Sequence, residues 1–212
     1  MKKRFFNLFT ARGTVVGIDP LGKGKFRFLA LTIGTKDGQR HRIAYEGRHG
    51  ECLIRKVKAG ECIQARGHLT TSRKDERLFY NPRGWDPGKR ANFHVLPPGE
   101  IRPDGVFAVF VGYLASRDLT TPEELTCVLN VPSRNANGEK FEDEFPMVAR
   151  GGMARKLAED FTSDVLVKVK CQLLSEPIED KYGDRQGYTQ ILQAEEAVLA
   201  GKSWKENTNV DE

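Results

Sequence analysis

The chain has 212 residues, room for one large domain or for two of about 100 residues, the commonest domain size. With 39% hydrophobic and 30% charged residues, it carries enough apolar material for packed cores, which excludes wholesale disorder. The net charge of +5 hides a split: residues 1–100 hold 21 Lys and Arg against 9 Asp and Glu, or +12, whereas the remainder holds 13 against 20, or −7.

The basic opening Met1-Lys-Lys-Arg resembles the start of a signal peptide, but Asn7 and Arg12 interrupt the apolar stretch such a peptide needs. A leading strand is expected there instead. Strands are then predicted at Ala11–Ile18, Phe26–Gly34 and Gln39–Tyr45, a helix near Glu51–Lys58, and strands at Cys62–Thr70 and Asn92–Leu96. Between these last two lies Arg73–Arg90, expected to be a long loop. Leu96–Gly105 has three prolines and two glycines and suits neither helix nor central strand, so it reads as a linker, narrowest at 99–104.

Phe107–Leu119 is rich in β-branched and aromatic residues, with Gly112 marking a bend or bulge. Leu125, Cys127, Leu129 and Val131 alternate with polar positions, and turn chemistry at Asn135–Gly138 leads into a strand at Phe141–Val148. From Gly151 to Phe161, Met153, Ala154, Leu157, Ala158 and Phe161 form one helical stripe. Strands at Val165–Leu173 and Tyr188–Ala194 complete the pattern. Three strands, a helix and two strands is the order of a five-stranded OB barrel, and the first half repeats it at an offset near 100 residues. The expected fold is all-β with short helices: two tandem OB-fold barrels, at 1–98 and 105–200, with a short tail at 201–212.

No run approaches the roughly 20 apolar residues of a membrane span, and a cytoplasmic protein without membrane contact is expected. Cys52, Cys62, Cys127 and Cys171 form no C-x-x-C pair and have no histidine at zinc spacing, so they read as free thiols. The chain lacks G-x-x-x-x-G-K-S/T, G-x-S-x-G and H-E-x-x-H. The acidic cluster Glu139, Glu142, Asp143 and Glu144 reads as a solvated turn, and the four histidines lie on separate elements. No enzyme activity, metal or cofactor is expected.

Val109-Phe-Val-Gly-Tyr-Leu-Ala-Ser-Arg-Asp118 resembles the opening strand of the single-stranded DNA-binding (SSB) proteins. Glu144-Phe-Pro-Met-Val-Ala-Arg-Gly151 is similar to their third strand entering the helix, and Glu176–Ile191 to their closing hairpin. In the first half, His41–Arg48 and Lys58–Thr71 are similar to the third and fourth strands. The resemblance is to the form of the family with two OB domains per chain, and it implies a homodimer holding four barrels. Ile178 stands where the family often has Trp, Phe145 keeps an aromatic at another such position, and Gly201–Glu212 does not resemble the family's acidic Pro-Phe tail.

A basic groove with interleaved aromatic rings is the chemistry that holds single strands: cations track the phosphates while rings stack bases. In Arg73–Arg90, Phe79, Tyr80 and Trp85 interleave with Arg73, Lys74, Arg77, Arg83, Lys89 and Arg90. Nucleic-acid binding is favoured over a clasp that pins the loop. Phe26 and Phe28 share a strand face and either stack bases or fill a barrel end or dimer contact. Arg40, Arg42 and Arg48 either pair phosphates or are solvated edge charges, and Tyr45 either stacks or joins the core. Phe145 enters as a stacking residue by resemblance alone. In the second half, Arg150, Lys168, Lys170 and Tyr182 are further candidates, on a barrel whose acidic balance makes it the weaker ligand for DNA. The expected function is sequence-tolerant coating of single-stranded DNA in replication, recombination or repair, with replication or recombination proteins as further partners. The alternative is a primosome-like adaptor that binds DNA weakly and docks replication proteins, with an RNA-binding or purely structural OB protein behind it.

Overall fold

The computed structural model describes residues 6–21, 28–46, 53, 55–74, 77–84, 93–97, 104–134, 140–161, 165–179 and 185–201. The first barrel is built from β1 (Phe6–Leu21), β2 (Phe28–Gly34), β3 (Arg40–Glu46), β4 (Cys62–Lys74) and β5 (Arg77–Gly84). Antiparallel ladders join β1 to β2, β2 to β3, β4 to β5 and β4 back to β1, and a parallel contact at Ala44 and Arg83 joins β3 to β5. The order β1-β2-β3-β5-β4-β1 therefore closes on itself, removing free sheet edges. Phe9, Leu31, Ile33, Ile43, Ile63 and Leu69 fill the interior.

The second barrel uses β7 (Gly105–Thr121), β8 (Glu124–Arg134), β9 (Lys140–Arg150), β10 (Leu166–Glu179) and β11 (Arg185–Gly201). Its order is β7-β8-β9-β11-β10, closed by a β10–β7 pairing, and β9 and β11 again run parallel. Helix α1 (Gly152–Glu159) follows β9 and buries Ala154 and Leu157. Arg117 donates to the carbonyls of Leu157, Ala158 and Phe161, answering oxygens that the helix end leaves unpaired. Both barrels thus share one topology, that of the OB fold.

The duplication is visible in backbone detail. A Cβ on Gly13 would stand 2.7 Å from the Gly34 carbonyl oxygen, and one on Gly112 would stand 2.3 Å from that of Asn130. Only glycine fits either crossing of the first two strands. The two glycines lie 99 positions apart (112 minus 13), as do the bulges at Val15/Gly17 and Leu114/Ser116. The bulge expected at Gly112 therefore lies just beyond it.

One expectation needs correction. Asn92–Leu96 is not the strand that closes the first barrel; β5 does so, using residues expected to be loop. β6 (Phe93–Val95) pairs with Ile63–Ala65 on the edge of β4 that also carries β5, since β1 holds the other edge. Part of the helix expected near Glu51–Lys58 lies outside the described residues; within them, Lys56 and Val57 donate to the Leu53 carbonyl in one helical turn. The chain divides into two compact units, one of Leu8–Phe107 with Leu174–Gln190 and the other of Met1–Asn7, Ala108–Leu173 and Ile191–Glu212. Within the former unit Ser175 donates its N–H to Gln39 Oε1 at 3.2 Å, and Tyr80 donates its N–H to Gln190 Oε1 at 2.8 Å.

Candidate nucleic-acid interface

Strand alternation decides which side chains of the first barrel meet water. On β3, His41, Ile43 and Tyr45 point inward and are buried, so Arg40 and Arg42 are exposed on the outer face. On β4, Ile63, Ala65 and Leu69 point inward, leaving Arg66 half-buried and His68 exposed. On β5, Tyr80 and Pro82 are buried, while Asn81 and Arg83 are half-buried on the other face. Register joins these positions: Ala44 pairs with Arg83, and Arg83 with His68. The outer face of β3, β5 and β4 therefore carries Arg40, Arg42, Arg83, His68 and Arg66 among neutral groups such as Thr70, Ser72 and Asn81. None of the described side chains at those outward positions is a carboxylate.

Two ionisable groups are sealed inside the same barrel. His41 is 1% exposed, and neither ring nitrogen has a hydrogen-bond partner among the described residues. Burial lowers its pKa to about 4 against the opposing pull of Asp37, so the ring is neutral near pH 7. The Tyr45 hydroxyl is also buried without a partner there, and burial pushes its pKa up. Tyr45 belongs to the core.

The second barrel distributes its cations differently. Arg150 Nε bonds Glu124 at 3.0 Å and its Nη1 bonds Gln193 at 3.2 Å. Lys170 bonds Glu196 at 2.8 Å and lies 3.8 Å from Glu195; the Glu196 hydrogen bond is the main reason its pKa is raised. These cations already answer carboxylates of their own barrel.

Of the expected stacking residues, two are removed by burial. Phe145 is fully buried, with its ring centroid 4.5 Å from that of Phe110, and Tyr80 is 3% exposed. Neither ring offers a face to a base. Phe28 pairs with Glu46, Phe79 with Ser72, Arg73 with Leu78, and Lys74 with Arg77; for all of these except Ser72 only the backbone is described. Ala30, two residues along β2 from Phe28, is buried. Phe26, Arg48, Trp85, Lys89, Arg90 and Tyr182 lie outside the described residues. Sequence reading passed over Arg66 and His68, although the alternation Gln64-Ala-Arg-Gly-His68 held the signal.

No family model matches the chain, and no curated protein matches it in sequence. Among solved structures, the wild-type single-stranded DNA-binding protein of Thermus aquaticus aligns with a TM-score of 0.63 at 15% identity, covering 95% of this chain and 96% of that one. A deletion variant of the same protein aligns equally well, at 16% identity over 95% and 97% of the two chains. The chain has the fold of the two-barrel SSB proteins. Covering 95% of this chain, the alignment takes in both barrels.

Proposed function

We propose that this protein binds single-stranded DNA without catalysis and that the outer face of β3, β5 and β4 in the first barrel is its main phosphate-tracking surface. The observation that carries the reading is the run Arg40, Arg42, Arg83, His68 and Arg66 on one face, in the half of the chain that holds +12. A polyanion bound there releases counterions, and a flexible single strand can follow a curved barrel. The SSB fold and the sequence resemblance support the same ligand.

Phe26, Phe28, Phe79 and Trp85 are the proposed stacking residues, and Arg48, Arg73, Lys74, Arg77, Lys89 and Arg90 extend the proposed phosphate contacts. The wider proposal is a cytoplasmic homodimer that coats single strands in replication, recombination or repair and meets proteins of those processes. Equilibrium binding to oligo(dT), to duplex DNA and to RNA of equal length tests the reading. Tightest binding to oligo(dT), weakening as salt rises, is expected; equal or tighter binding to duplex would refute it.

A further inference from the structure

Arg42 does not stand alone on the proposed face. Its Nη2 lies 4.0 Å from Asp19 Oδ2, with both side chains more than half exposed. Asp19 pairs with Ala30 across β1 and β2, and Arg42 pairs with Thr32 across β2 and β3, so the ion pair reaches over β2 between them. Two strand spacings are roughly 10 Å, a span that needs a long side chain lying flat over small neighbours. Gly17 lies beside the pair: a Cβ there would be in ordinary contact with Thr32 at 3.5 Å and with the Asp19 carboxylate at 3.9 Å.

We infer that Asp19 is an internal stand-in for phosphate, a positioning residue that holds Arg42 across β2 and limits how tightly the first barrel grips a strand. The inference rests on the proposed DNA-binding role of this face. An exposed pair at this distance is weak, so a backbone phosphate displaces the carboxylate cheaply. The displaced charge stays beside the phosphate and repels it. Arg42 and Asp19 together then present almost no net charge to the strand, which favours exchange over capture.

The test is oligo(dT) binding by the full chain across a salt series, using Asp19→Asn, Asp19→Ser, Arg42→Ala, the Asp19→Asn/Arg42→Ala double variant, and Glu123→Gln as an equal charge change in the second barrel. Either Asp19 variant should tighten binding about two- to fivefold, the range of an exposed pair, and steepen the salt slope by about 0.7, one phosphate's worth. Arg42→Ala should cancel the change in slope, and Glu123→Gln should not reproduce it. Unchanged or weaker binding in both folded Asp19 variants, or an equal gain from Glu123→Gln, would overturn the inference while leaving DNA binding in place. Absence of binding by the parent chain would instead remove the proposed function and this inference with it.

Discussion

His41 illustrates how one residue ties the first barrel to pH. Its pKa is about 4 in the fold and 6.5 unperturbed, so between those values the unfolded chain holds a proton that the folded chain refuses. The stability it contributes is complete above pH 6.5 and is lost as pH falls towards 4, with a slope of about 1.4 kcal/mol per unit. In urea denaturation, His41→Leu should flatten the pH dependence in that window relative to the parent; identical slopes would place the ring in water. Phe145→Ala should cost about 3–5 kcal/mol of stability through a core cavity, and Phe145→Leu less. The milder variant should leave oligo(dT) affinity per folded molecule unchanged. Trp85→Ala, by contrast, should weaken binding by about 1–3 kcal/mol with the salt slope intact, since removing a neutral ring releases no counterions. Burial was legible where apolar residues alternate strictly, as at Leu125, Cys127, Leu129 and Val131. It was not legible for Phe145, because resemblance named the position while the packing of Phe110 against it depends on the closed barrel.

Most strands followed from alternation, yet the closing strand of the first barrel did not. Arg77-Leu-Phe-Tyr-Asn-Pro-Arg-Gly84 is charged, and its proline and glycine suggest a loop, whereas the structure pairs it with β4 from Lys74 down to Gly67. Closure explains the tolerance. β5 meets β3 at a single paired position, and Pro82 is buried inside the barrel rather than needed as a donor to a long parallel ladder. A Cβ on Gly67 would stand 1.9 Å from the Arg83 carbonyl oxygen, so that crossing depends on glycine, and Gly67→Ala should destabilise the first barrel. The place of Leu174–Gln190 was equally hidden, because its hydrogen bonds join residues 110 and 136 positions apart, Tyr80 to Gln190 and Ser175 to Gln39. Gln190→Ala should cost about 1 kcal/mol and speed hydrogen exchange at the Tyr80 amide. A fragment covering 1–104 should show the same faster exchange; full protection of that amide in the fragment would mean the hydrogen bond to Gln190 contributes nothing.

Across the whole molecule, one fold has been used twice with opposite electrostatics. The charge split was read from sequence alone, and strand register shows where it lies: Arg40, Arg42 and Arg83 share a face where the described outward groups of β3, β4 and β5 are cationic or neutral, with Arg42 reaching Asp19 of β1 over β2. Light scattering should give twice the 23.8 kDa chain mass if the proposed dimer forms. The most direct test of the account compares salt slopes for oligo(dT) binding after two triple substitutions of equal charge. Arg40→Ala/Arg42→Ala/Arg83→Ala should lower the slope by up to about 1.4, since Asp19 already offsets Arg42, and Arg150→Ala/Lys168→Ala/Lys170→Ala should leave it nearly unchanged. A second-barrel triple that lowers the slope while the first-barrel triple does not would contradict the assignment of the binding face.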